Sequence, residues 1–457
     1  MRSPRPVSLR ASLPLLPVAA VFAIGAVAAR VVAGRAPLAL ARDFAQPLVV
    51  VTAWGHYGGV CFAVLATTLG LAALALGAAL RATSAGTSPP PAAVAVAVAA
   101  ALAAAFAWPF VFSSDVYAYA AYGSLTARGI DPYVPVPSDV HGAFVEAARW
   151  QWQGAFPPCV YGPAFVAFAR AVVAAADGAN VIAALLGLRL TACAAFLGCI
   201  FALASCLREM PERRRSCALI AFGLNPVALW SVAEGHNDAL VLLVALTGFT
   251  LARRRAVYGA FLLGCSPLVK ATGALFALGL ALDTFLFAPR AGRRMIVALA
   301  LGFAMAATLA IPPVLPALHA IGSRGRYLPS GSMQDVFGLA PVLTAALAAA
   351  AYGGFRLWGR ERDGYAWLGI AAWLALPNPY PWYALWLLPA VVASGGGTAA
   401  AALYGVTISS VLRYLPDATG TLATPELRLA ALLTASPLLL TLAVFARPLP
   451  FRKTSQT

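Results

Sequence analysis

The sequence predicts an all-α, polytopic integral membrane protein, a single domain spanning residues 1–457. Three observations carry that prediction. Of the 457 residues, 61% are hydrophobic and only 11% are charged, too little polar surface for a soluble globule. Mean hydropathy is +0.82. The apolar residues also fall into successive runs, many approaching the roughly 20 residues that a helix needs to cross a bilayer. A net charge of +16 would suit nucleic acid, but the basic residues form short clusters between apolar runs, as topology signals do. Membrane lipid is therefore the expected partner, and nucleic acid is not.

In chain order, spans are expected near 13–33, 58–80 and 92–112, followed by a long loop, 113–158. The segment from Tyr161 to Ala176 is apolar but short. Further spans are expected near 181–207, 217–233, 239–252, 256–269, 271–288, 295–315, 336–355, 365–377, 382–394, 398–412 and 427–446. Several are shorter than a full crossing, so the expected count is about 14 transmembrane helices, within roughly 12–15. The first run sits behind Arg2, Arg5 and Arg10 like a signal peptide. The spans that follow it and the merely generic alanine richness at its end make it an uncleaved first helix. The seven cysteines include no C-x-x-C pair and imply neither a disulfide framework nor a zinc site.

Arginine positions test this count. With a cytoplasmic N-terminus, and with Tyr161–Ala176 not crossing, Arg81, Arg208, Arg213–Arg215, Arg253–Arg255, Arg293, Arg294, Arg356, Arg360, Arg362 and Lys453 all fall inside. Counting that segment as a span would turn the later clusters outward. It is therefore read as re-entrant or interfacial, which places Asp115 and most other acids on the extracytoplasmic face and both termini in the cytoplasm of a cell (inner) membrane protein.

Four polar constellations share that face. Asp115 follows an apolar run, with Ser114 or Asp115 as N-cap of a short helix that Gly129 and Pro132 stop. The carboxylate either caps the helix or, with its basicity raised by apolar surroundings, serves as a base. Tyr117, Tyr119, Tyr122 and Tyr133 suit a membrane–water boundary. The second constellation, Glu234-Gly235-His236-Asn237-Asp238, is either a plain loop or a set of hydroxyl-recognising groups, with His236 able to meet a phosphate. Third, Lys270 interrupts an apolar stretch and either snorkels to the interface or meets a lipid-linked phosphate, joined by Arg324 and Arg326. Last, Tyr380, Trp382 and Trp386 form an aromatic belt or stack on sugar. Tyr161-Gly162-Pro163 marks a sharp bend into the interface.

The runs SSDVYAYAAYGSLTARGIDPY, PPCVYGPAFV, EGHNDALVLL, PLVKATGALF and NPYPWYALWLLP, in this order between about residues 110 and 390, resemble the GT-C superfamily of polyprenyl-phosphate-sugar-dependent glycosyltransferases. They are most similar to actinobacterial alpha-1,6-mannopyranosyltransferases. The resemblance implies in-plane helices in the first large outer loop, a polyprenyl-phosphate donor, and Asp115 as catalytic base. Val116 and Tyr117 follow Asp115 where an Asp-x-Asp metal site would need a second acid. Lipid phosphate is an adequate leaving group, so no metal site is assigned, and a divalent cation (Mg or Mn) is left as an open alternative.

The expectation is a hexosyltransferase, read as a mannosyltransferase, acting with inversion on a glycan or glycolipid hydroxyl. Asp115 is the base. Lys270, Arg324, Arg326 and His236 face the donor phosphate, and Tyr117, Tyr119, Tyr161, Glu234, Asn237, Asp238, Tyr380 and Trp382 face sugar or acceptor. The rival is a transporter or flippase of lipid-linked sugars. Transporters place functional charges near the bilayer midplane, whereas these clusters sit at one edge.

Overall fold

The computed structural model describes residues 13–35, 49–50, 56–86, 88–152, 154–176, 180–287, 289–322, 331–421 and 423–445. Its helices are α1 (Leu16–Gly34), α2 (His56–Ala85), α3 (Pro91–Phe106), α4 (Asp115–Ala127), α5 (Ala143–Gln151), α6 (Pro163–Ala175), α7 (Val181–Cys206), α8 (Glu212–Gly223), α9 (Pro226–Ala233), α10 (Asp238–Ala252) and α11 (Ala256–Gly264). They continue as α12 (Gly273–Phe287), α13 (Pro289–Gly322), α14 (Met333–Phe337), α15 (Leu339–Trp358), α16 (Gly364–Ala375), α17 (Ala384–Ser394), α18 (Thr398–Ser409), α19 (Leu415–Thr419) and α20 (Thr424–Phe445). Two short strands, Val49–Val50 and Phe110–Val111, pair in parallel. The chain is an all-α membrane protein.

Each expected apolar run holds a described helix, as a backbone in lipid must satisfy its own hydrogen bonds, but the run expected near 92–112 is helical only to Phe106 and is a strand at Phe110–Val111. Five described helices, α1, α2, α7, α13 and α15, are long and apolar enough to cross a membrane, and six do so if the bent pair α8 and α9 is one span. Seven other apolar helices are 10–17 residues long. Ile24, Leu74, Val96, Phe201 and Leu347 stand exposed, as side chains facing lipid tails do.

Proline sets several helix starts. Pro91, Pro163 and Pro226 each open a helix, where a missing N–H costs nothing. Pro226 also breaks α8 from α9 with a bend of 47°. Asn225 repairs that break by accepting the Ala228 N–H at 3.0 Å and donating to Thr407 Oγ1 at 2.8 Å. Past the bend, α9 packs against α3 and α7.

Three apolar cores result. The largest joins α1–α3 with α7–α13 and residues around 382–418. A second lies beneath α4–α6, and a third joins α14–α18 with α20. Helix α6 lies against α4 so closely that a Cβ on Gly123 would stand 2.5 Å from the Ala169 carbonyl oxygen. Tyr117, Tyr119, Tyr122 and Tyr133 are all buried in this packing, which corrects their reading as residues of the membrane–water boundary. Tyr122 donates to the Pro157 carbonyl at 2.8 Å.

Candidate functional site

Helix α4 begins at Asp115 and ends before Gly129, whose φ of +72° suits glycine in a helix stop. The capping alternative for Asp115 is not taken. Ser113 Oγ accepts the Asp115 N–H at 3.2 Å, and Ser114 Oγ donates to the Gln151 carbonyl at 3.1 Å. The carboxylate is left to face inward. Tyr119, one turn along the same face, and Tyr161, just before α6, direct their hydroxyls to Asp115 Oδ2 at 3.4 and 3.5 Å. Burial pushes Asp115 up to about 6; Lys270 opposes that rise and Asp238 adds to it.

Opposite stands the turn from α9 into α10. Gly235 holds φ at +96°, and a Cβ there would lie 2.9 Å from Arg189 Cγ and 3.1 Å from Val116 Cγ2. Glycine alone fits between these side chains in that conformation. The turn folds Glu234 back, so that Oε1 accepts the Phe112 N–H at 2.5 Å. Burial pushes Glu234 up to about 8, against the pull of the Phe112 N–H and Arg189. His236 lies between the two carboxylates, Nδ1 3.7 Å from Asp115 Oδ2 and Nε2 3.6 Å from Glu234 Oε2. Burial and the Lys270 charge hold it well below its ordinary range, as neutral imidazole.

The third segment carries Lys270. Gly162 donates its N–H to the Val269 carbonyl at 3.1 Å, and a Cβ on Gly162 would stand 2.1 Å from the Leu268 carbonyl oxygen. That close approach brings Tyr161 beside Lys270, whose Nζ lies 5.4 Å from the Tyr161 ring centroid and 5.3 Å from that of Trp386. Lys270 does not snorkel outward. It donates to Asp238 Oδ1 at 2.7 Å and to Asn237 Oδ1 at 3.2 Å.

The aromatic segment closes the site. Trp382 stacks on His236 at 4.2 Å and on Tyr380 at 4.4 Å, and Arg413 lies 4.9 Å from the Tyr380 centroid. Trp386 Nε1 donates to Asp238 Oδ1. These rings face inward, where a belt would face the interface.

Asp115, Tyr119, Tyr161, Glu234, His236, Asn237, Asp238, Lys270, Tyr380 and Trp382 are thus brought together. Tyr117 is not. Two residues along α4 is about 200° around the helix, and Tyr117 turns towards Gln151 and Arg189 instead. His236 is turned to carboxylates rather than open to a phosphate. Arg324 and Arg326 lie outside the described residues.

Sequence reasoning missed Arg189. Buried in α7, it donates to the carbonyls of Ala233 at 2.6 Å and Phe106 at 3.0 Å, satisfying the ends of α9 and α3 beside the site. A lone arginine within an apolar span is the signal that marks it. Among the described residues, no three His, Cys, Asp or Glu side chains are placed to hold a metal ion. The arrangement offers one partly open carboxylate of raised basicity, a buried ion pair and a wall of aromatic rings.

The family model described as "Alpha-(1->6)-mannopyranosyltransferase, N-terminal domain" matches residues 16–285. Alpha-(1->6)-mannopyranosyltransferase A of Mycobacterium tuberculosis is 27% identical over 351 residues, covering 67% of this chain and 66% of the relative. Alpha-(1->6)-mannopyranosyltransferase B of Corynebacterium glutamicum is 26% identical over 227 residues, covering 45% of this chain and 37% of the relative. The chain thus spans less than two thirds of the length of either. No solved structure matches it.

Proposed function

This chain belongs to the alpha-(1->6)-mannopyranosyltransferase family, and from that premise we propose that it transfers mannose from a polyprenyl phosphate to a hydroxyl of a glycan or glycolipid. The observation that carries the reading is Asp115, 18% exposed at its side chain and raised to about 6 at a site otherwise closed by aromatic rings. A carboxylate there is ionised at neutral pH yet more basic than a solvated aspartate, as a general base needs to be.

In the reaction Asp115 takes the acceptor's hydroxyl proton as the acceptor oxygen bonds to the anomeric carbon. The bond from that carbon to the phosphate oxygen breaks on the opposite side, its electron pair leaving on the phosphate, and the configuration inverts. Tyr119 and Tyr161 hold the carboxylate. Tyr380 and Trp382 offer ring faces to the sugar, and the donor phosphate lies beside the Lys270–Asp238 pair, with Arg324 and Arg326 as further proposed phosphate contacts. The isoprenoid runs between apolar helices. The arginine bias puts this face outside the cell membrane, with both termini within.

Purified protein in nanodiscs, given a panel of radiolabelled polyprenyl-phosphate sugars and glycolipid acceptors, is expected to form a mannoside. Asp115→Asn keeps the shape of the side chain but cannot take a proton, so transfer falls by about 10²- to 10⁴-fold while donor binding persists. Undiminished transfer by the variant removes Asp115 from the mechanism. Movement of the lipid-linked sugar across the bilayer with no glycosidic product replaces the enzyme reading with a transporter.

A further inference from the structure

We propose that Glu234, His236 and Asp115 form a triad in which Glu234 carries a proton, that proton fixes neutral His236 as its Nδ1–H tautomer, and the Nδ1–H holds Asp115 Oδ2 so that Oδ1 meets the acceptor. His236 and Glu234 are then positioning residues. The inference rests on the reading of Asp115 as the base.

Geometry carries it. His236 is 2% exposed, and neither ring nitrogen has a hydrogen-bond partner among the described residues, although a carboxylate oxygen stands within 3.7 Å of each. A buried polar group left in that state is costly. Were both carboxylates ionised, a neutral imidazole could serve only one, and its bare nitrogen would face the other's lone pairs. One added proton resolves the conflict. It belongs on Glu234, whose side chain is 2% exposed, rather than on Asp115 at 18%, because the more buried carboxyl loses more by ionising.

Protonated Glu234 then donates from Oε2 to His236 Nε2 while Oε1 keeps the Phe112 N–H. The remaining ring proton sits on Nδ1 and points at Asp115. Tyr119 and Tyr161 approach the same Oδ2, and among the described residues no donor approaches Oδ1. The separations of 3.6 and 3.7 Å are long for hydrogen bonds, as catalytic contacts without substrate often are. No proton passes along the triad during transfer.

The charged surroundings agree. Glu234 faces Arg189 from α7, Tyr414 from the segment before α19, and Asp115 from α4. The Arg189 donors are engaged by the carbonyls of Ala233 and Phe106. His236 faces Lys270 as well as the two carboxylates, and that charge disfavours an imidazolium. Lys270 and Asp238, both facing Asp115, already neutralise each other at 2.7 Å.

The test uses ¹⁵N-histidine-labelled full-length protein in nanodiscs. Four histidines are present, and the His236 signals are assigned by their loss in His236→Gln. The expected spectrum at pH 7 is a neutral imidazole protonated on Nδ1, giving way to the Nε2–H form as pH passes about 8, where Glu234 ionises. Transfer by the wild type should show an alkaline limb at the same pH. Glu234→Gln, whose amide donates permanently to Nε2, should retain the Nδ1–H tautomer throughout and lose that limb. His236→Gln should lower kcat by up to about 10²-fold, the range for a misplaced reacting group, with little change in KM. An imidazolium, an Nε2–H tautomer at pH 7, or an alkaline limb unchanged in Glu234→Gln overturns the triad. These outcomes are separate from failure of the function itself, which would appear as a wild type without transferase activity whatever its tautomer.

Discussion

Arg356 pairs with Glu361 and, at 2.9 Å, with Asp363, and Arg362 reaches Asp283 at 3.5 Å; at the candidate site, among the described residues, Asp115, Glu234 and Asp238 share one ion pair with a lysine or arginine, Lys270 to Asp238. In the first cluster every acid has an arginine and a part-exposed setting. In the second, Glu234 and Asp238 are buried and Asp115 is largely so, and two of the three carboxylates have a neutral histidine where a cation would serve stability better. Desolvated charge without a counter-ion is what folding avoids. Its retention beside Asp115 fits the proposal of a site used for chemistry, and the arginine cluster is what the same residue types do when only solubility and local order are at stake.

After the loss of Asp115 itself, the largest expected effect on this contrast comes from Lys270→Met. Removing one partner of a buried pair leaves Asp238 uncompensated, at a cost of about 3–5 kcal/mol in stability. Lys270→Met with Asp238→Asn should recover much of that loss in thermal melts, yet still bind the polyprenyl-phosphate donor weakly. If the double variant binds donor as wild type does, Lys270 is structural only.

Next in size is Gly235→Ala. Its φ of +96° and the closeness of Arg189 and Val116 make the substitution strained, by about 1–3 kcal/mol, and the strain falls on the turn that presents His236. Melting temperature and transfer should both drop. Normal transfer would mean the turn's geometry matters less than its contacts imply.

The pH profile offers a milder probe. Because burial raises Asp115 to about 6, the ionised base is lost as pH falls through that value, and transfer should decline by about tenfold per unit further down. A limb near the ordinary aspartate range would mean that water reaches Asp115 freely. The smallest effect should come from Glu361→Gln in the arginine cluster, with both transfer and melting temperature close to wild type. A marked loss there would dissolve the contrast between the two clusters.

How much of this was legible from residues alone differs by feature. Helix positions were, since a run of apolar residues must be helical in lipid whatever its neighbours. So were the start of α4 at Asp115 and its stop at Gly129, where local backbone preference decides. The convergence of Asp115, His236, Lys270 and Trp382 was legible only as separate polar constellations expected on one face. The roles of Arg189 and Trp386 and the inward turn of the tyrosines were not legible, nor was the orientation that separates Tyr117 from Tyr119 by packing α4 against α6 and α7.

By itself, then, the amino-acid order determined membrane residence and the sites of the helices, because hydropathy and local backbone preference act within one or two turns of chain. Only the tertiary structure decided which carboxylate meets the lysine, which two flank the histidine, and which rings close over them. Several contacts of the site join segments more than a hundred residues apart, such as Phe112 with Glu234 and Asp238 with Trp386. Burial, which sets the basicity of Asp115 and Glu234, does not exist until those segments have packed together.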